Sequence, residues 1–150
     1  MRIRAAARTK AAFTVGAVVA GLLGGAVAVA PSASAASYPV CNTTTIGYFT
    51  NGTYWVLPYY SSPNTVSCIL KQGNTGKAVR ALQKNLNVCY GKALVLDGVF
   101  GAATAAALRD VQSRIGVAVD GVYGPLTRNK MKWARYSPET GAKYDCHAFA

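Results

Sequence analysis

A chain of 150 residues has room for one domain with appendages. Although 51% of it is apolar, alanine supplies much of that share, so a second sizeable core is excluded. Only 14% of residues are charged, and 16 Lys and Arg against 5 Asp and Glu give a net charge of +11. Any long-range field is therefore positive, which argues for an anionic partner or matrix and against a cationic one.

The chain begins with Arg2, Arg4, Arg8 and Lys10, followed by twenty uncharged residues rich in Ala, Val, Leu and Gly, then Pro31 and Ser32-Ala33-Ser34-Ala35-Ala36. Basic, apolar and small-residue segments in that order describe a secretory signal over residues 1–35, with Ala33-Ser34-Ala35 as the cleavage box. An uncleaved membrane anchor is the rival, because the apolar run has the roughly 18 residues of a spanning helix. Gly16, Gly21, Gly24 and Gly25 weaken that reading. Cleavage removes four basic residues and leaves a secreted chain, in the cell wall or extracellular space, with no membrane segment.

Residues 36–67 form an aromatic-rich extension. Asn51-Gly52 between Tyr48-Phe49-Thr50 and Thr53-Tyr54-Trp55-Val56-Leu57 is a strong hairpin signal, since both turn positions tolerate positive φ. Pro58 and Pro63 are expected to end the second strand. The seven aromatics from Tyr38 to Tyr60 could offer a sugar-stacking surface. Because a two-stranded ribbon is marginal alone, packing onto the following domain is the expectation.

From Cys68 to Trp133 one pattern appears three times, a glycine-closed turn followed by a helix. The turns end at Gly76, Gly101 and Gly124, spaced 25 and 23 residues apart. Asp97-Gly98-Val99-Phe100-Gly101 and Asp120-Gly121-Val122-Tyr123-Gly124 are near-copies, so the chain carries an internal repeat. The first helix, Gly76 to Val88, aligns Val79, Leu82 and Leu86 on one stripe. A second, about Ala102 to Ile115, aligns Ala105, Leu108, Val111 and Ile115, and Gly116 ends it. Pro125 starts a third that runs to about Arg135, with Leu126, Met131 and Trp133 as its larger apolar groups. Helices this short are marginal singly, so the expected fold is mainly α, a small three-helix bundle over residues 68–136 preceded by the hairpin-like extension and followed by a tail, 137–150. In the turns Asp97 and Asp120 accept from backbone N–H groups just ahead, Gly98 and Gly121 supply left-handed φ, and Phe100 points inward. Gly101 and Gly124 admit the chain to the helices, where Thr104 and Thr127 satisfy free amides.

All four cysteines follow the cleavage box, which in an exported chain suggests two disulfides. Zinc is not expected: no two cysteines are close in sequence and His147 is the only histidine, so metals and cofactors are absent from this reading. A first helix about 20 Å long, with Cys68 to Gly73 running back along it for about 17 Å, lets Cys68 reach Cys89. Cys41 with Cys146 would then join the two tails.

Residues 68–133 resemble the peptidoglycan-binding domain found beside bacterial cell-wall hydrolases, whose pattern reads approximately LxxGxxGxxVxxLQxxL, DGxFGxxTxxAL, Q and DGxxGxxT. Leu70, Gly73, Gly76, Val79, Leu82, Gln83 and Leu86 match the first part; Asp97, Gly98, Phe100, Gly101, Thr104, Ala107, Leu108 and Gln112 the middle; Asp120, Gly121, Gly124, Pro125 and Thr127 the last. The chain departs from it at Val111, Tyr123 and Arg128. The resemblance implies a three-helix bundle that binds wall glycan or its peptide stem, with chemistry residing in other domains. Tyr90, Tyr123, Arg128 and Lys132, rings and cations near the repeat turns, form the expected binding surface. Against it stands the reading that the tyrosines are half-buried packing and the cations a solvated face.

Catalysis is not expected. Glycoside hydrolysis needs two suitably separated carboxylates, and of Asp97, Asp110, Asp120, Glu139 and Asp145 two belong to turns. The resulting expectation is a secreted, non-catalytic module for peptidoglycan or associated anionic wall polymers. A small wall hydrolase, and an inhibitor or accessory factor partnered with a hydrolase, are alternatives. A cationic secreted factor for anionic polymers is a second. Nucleic acid is not an expected partner, since Lys and Arg are scattered and no wide basic amphipathic helix is visible.

Overall fold

A computed structural model describes residues 37–149. The predicted signal segment and its cleavage box lie outside the described residues. Strands β1 (Thr43–Tyr48) and β2 (Tyr54–Ser61) form the expected hairpin, in antiparallel register from Thr43 opposite Tyr59 to Tyr48 opposite Tyr54. Its turn is held by the Asn51 carboxamide oxygen, which accepts from the Thr53 hydroxyl at 2.7 Å and the Thr53 N–H at 3.2 Å. Pro58 does not end β2 but lies within it. Its missing N–H is tolerated because the side of β2 away from β1 is paired only at Tyr54 and, through the two-residue β3 (Asn64–Thr65), at Tyr60 and Ser61.

Helices α1 (Lys77–Tyr90) and α2 (Ala102–Ile115) follow, close to the predicted spans. Both stop at a left-handed glycine, Gly91 and Gly116, whose N–H groups bond the carbonyls of Leu86 and Gln112. The predicted stripes face inward: Val79, Leu82, Leu86, Leu108 and Val111 are fully buried, together with Leu70, Phe100 and Tyr123. Each such side chain contributes about 2 kcal/mol through removal from water.

The expected mainly α three-helix bundle is corrected by the rest of the chain. Helix α3 is only Pro125–Lys130, and Met131 turns the backbone extended. Lys132–Tyr136 then forms strand β4, and the supposed tail supplies its partner, β5 (Lys143–Ala148). With β1, β2 and β3 they make a five-stranded antiparallel sheet of order β1-β2-β4-β5, β3 pairing with β2. Trp133 and Tyr136 suit a strand better than a helix, and β5 closes onto the run along its whole length. Residue Asn85 of α1 reinforces this edge, donating to the Lys132 carbonyl at 3.0 Å and accepting from the Ala134 N–H at 2.9 Å.

The disulfides join Cys41 to Cys68 and Cys89 to Cys146, with Cα separations of 5.1 and 5.7 Å, not Cys68 to Cys89 and Cys41 to Cys146. Backbone pairing decides this. The Cys41 N–H bonds the Ile69 carbonyl and the Ile69 N–H bonds the Pro39 carbonyl, which sets Cys41 beside Cys68. The segment after Cys68 does not run back along α1. It crosses to the second repeat, where Leu70 and Tyr123 exchange hydrogen bonds at 2.9 and 2.8 Å. The end of α1 meets β5 instead.

Candidate binding site on the repeat turns

One polar device is built twice. In the first repeat the Gln83 amide nitrogen, buried on α1, donates to the Asp97 carboxylate at 2.8 Å and the Val99 carbonyl at 3.0 Å, and lies 3.2 Å from the Thr104 hydroxyl. Its oxygen accepts the Gly98 N–H at 2.9 Å. In the second, Gln112 on α2 makes the same four contacts to Asp120, Val122, Thr127 and the Gly121 N–H, at 2.7, 3.0, 3.2 and 2.8 Å. Asp97 and Asp120 each also accept the N–H two residues ahead at 2.8 Å, as predicted. Thr104 and Thr127 differ from expectation: they serve the glutamine amides and make no helix cap. Glycine is favoured at both positions, since Gly98 and Gly121 have φ +72, and at Gly98 a Cβ would also lie 3.0 Å from the Gly76 backbone carbonyl oxygen. Hydrogen bonds from Gln83 first, and then the Val99 N–H, hold the Asp97 carboxyl below its ordinary range.

Each device backs a surface cleft, and the two clefts are related by the repeat offset. One, of about 270 Å³, lies over Asp97, Val99, Gly101, Ala102, Ala103 and Thr104, closed by Leu94 and Val95. The other, of about 290 Å³, lies over Asp120, Val122, Gly124, Pro125, Leu126 and Thr127, closed by Val117 and Ala118. The second is walled further by Tyr38 and Ile69 and carries Leu126, 77% exposed, where the first has Ala103. Leu126 is thus a surface residue of the cleft, not a core residue of a third helix. The repeat itself held the signal, because Ala103 falls off the apolar stripe of α2.

The four residues expected to bind ligand sit elsewhere. Tyr123 is fully buried, edge-on to Trp133 with centroids 6.0 Å apart, so its ring presents no face to a sugar. Its hydroxyl has no partner among the described residues, and burial pushes its pKa far up. Tyr90 is half-buried, its hydroxyl oxygen accepting the Lys132 N–H at 2.6 Å. Arg128 bonds Asn129 and lies 5.9 Å from the Phe149 ring centre, while Lys132 is exposed. Structure therefore joins Tyr90 to Lys132 and Arg128 to the Tyr123–Trp133 region, and none of the four lines either cleft. Of the carboxylates, Asp110 pairs with Lys92 and Arg114, and Asp145 with Arg135. Among the described residues no three His, Cys, Asp or Glu side chains group as metal ligands would.

Residues 75–131 match the family model described as a putative peptidoglycan binding domain. The chain is similar to a zinc D-Ala-D-Ala carboxypeptidase of Streptomyces albus G, 45% identical over 69 residues that cover 45% of this chain and 27% of that protein. It is also similar to the N-acetylmuramoyl-L-alanine amidase CwlL of Bacillus licheniformis, 38% identical over 73 residues, or 47% of this chain and 20% of that one. A solved peptidoglycan-binding protein of Clostridioides difficile is 26% identical with a TM-score of 0.43, covering 56% of this chain and 53% of that chain. The chain spans about a quarter of the length of that carboxypeptidase and a fifth of that amidase.

Proposed function

We propose, from the premise that residues 75–131 belong to the peptidoglycan-binding domain family, that this is an exported module which attaches to the bacterial wall without cutting it. The observation that carries the proposal is the second cleft. It is concave and mostly apolar, its floor is fixed by the Gln112 device, and Leu126 is exposed in it. Such a surface suits a short peptide with small apolar side chains better than a hydroxyl-rich sugar, so the peptide stem is the ligand assigned to it. The absence of cutting is supported by the engagement of the carboxylates: Asp97 and Asp120 hold turns, and Asp110 and Asp145 are ion-paired, which leaves no pair placed for acid and base roles.

Co-sedimentation with purified sacculi, followed by turbidity in the same tube, tests both halves. The chain should pellet with the sacculi at about 0.15 M salt, where exposed charges are screened, and turbidity should stay constant. Leu126→Asp should weaken pelleting at least about tenfold, as expected for losing about 1.4 kcal/mol of apolar contact. Unchanged pelleting of that variant would remove the cleft from the proposal, and falling turbidity would remove its non-catalytic character.

A further inference from the structure

A row of tyrosines crosses the sheet outside the family-matched residues. Tyr48 of β1 stands opposite Tyr54 of β2, and Tyr54 opposite Tyr136 of β4; residues directly opposite in antiparallel strands share one face. Ring centroids are 6.2 and 5.7 Å apart. Past a register shift between Arg135 and Tyr136, Lys143 of β5 pairs with Tyr136, and Lys84 of α1 holds its ammonium 4.6 Å from the centre of the Tyr136 ring. Asp145 stands opposite Arg135 on β4 and is ion-paired with it.

Exposure rises along the row, from 8% at Tyr136 through a half-buried Tyr54 to 72% at Tyr48. Tyr136 is packing, but Tyr48 covers nothing in proportion to its size. Next to it on the same face of β1, Ile46 is 52% exposed, so the apolar strip is open to solvent with cations at its far end. Pyranose rings carry flat C–H faces edged by hydroxyls, which match tyrosine faces and phenol groups, and the two lysines complement negative charge.

We propose that Tyr48, Tyr54 and Lys84 form a second binding surface, for a linear glycan carrying negative charge. It takes from the wall-binding reading only that such a polymer is nearby, and it does not use the clefts. The test titrates the full exported chain with two probes, glycan strands stripped of peptide by an amidase, which keep their lactyl carboxylates, and the soluble stem peptide. We expect Tyr48→Ala to weaken binding of stripped glycan about tenfold and Tyr48→Trp to restore it. Lys84→Gln should weaken stripped glycan but not neutral chito-oligosaccharide. Stem-peptide binding should be unchanged in all three and lost in Leu126→Asp, which keeps failure of this proposal separate from failure of the cleft. Unchanged glycan affinity in Tyr48→Ala would overturn it. So would a parallel loss of stem-peptide binding, or a Tyr48-dependent affinity for phosphatidylglycerol vesicles in place of glycan.

Discussion

Gln83 and Gln112 are the residues whose chemistry is least replaceable, because each satisfies a buried glycine N–H, a turn carboxylate and a backbone carbonyl at once. Gln112→Leu leaves the Gly121 N–H unpaired and should cost about 3 kcal/mol. Gln112→Glu should be no milder, since it removes the donor and sets a second carboxylate against Asp120. Urea denaturation measures both, and a loss under about 1 kcal/mol would contradict the assigned role. Tyr123 argues the opposite way. Its hydroxyl is buried without a partner among the described residues, so Tyr123→Phe should be neutral or stabilising by up to about 1 kcal/mol near pH 7. Its folded pKa is raised, so its contribution is intact below about pH 10 and declines as pH rises above that. The Phe variant should therefore retain more stability than the parent in alkali. Asp97, Asp110 and Asp145 have lowered pKa values, from the Gln83, Lys92 and Arg135 hydrogen bonds first. Their contribution is present above about pH 4 and fades as pH falls further, so thermal midpoints should drop on that side.

Among the elements, α1 and α2 were legible because a helical stripe is a local signal, as is the closing Gly116, a left-handed cap; Gly91 caps α1 in the same way. Strand β4 was not. The run Lys132–Tyr136 continues the apolar groups of α3 closely enough to extend a helical pattern, and its strand character comes from pairing with β5 and from the Asn85 side chain. Asn85→Ala should expose that dependence, with about 2 kcal/mol of lost stability and faster hydrogen exchange at the Ala134 amide. Exchange at that amide matching the parent would mean that β5 alone fixes the strand. Leu126 was misplaced for a related reason: a six-residue helix has too few turns to show which side faces the core, although the repeat alignment with Ala103 did.

In the whole molecule the disulfides tie the sheet to the repeats from both ends, Cys41–Cys68 on the entering chain and Cys89–Cys146 between α1 and β5. Non-reducing peptide mapping should recover those two pairs. Removing either by paired serine substitution should cost 2 to 5 kcal/mol, in the range of ~2–5 found for small secreted domains. The Cys89–Cys146 pair should cost more by about 0.6 kcal/mol, since its sequence separation of 57 is roughly twice the 27 of the other. Equilibrium denaturation of the two double variants gives the order, and a reversal would show that native strain outweighs loop entropy. Trp55 and Tyr60 of the extension pack against the core, as expected for this segment, whereas Tyr48 remains exposed.

By itself the sequence determined the repeat, its aspartyl turns, two of the helices, the Asn51-Gly52 hairpin and the resemblance of residues 68–133 to a peptidoglycan-binding domain, because each rests on residues close together in the chain. Only the tertiary structure decided the fold class, the cysteine pairing, the burial of Tyr123 and the location of the clefts. Those depend on which distant segments meet, as where Leu70 joins Tyr123 or β5 joins β4, and no local pattern encodes a partner that lies tens of residues away or on the far side of the core.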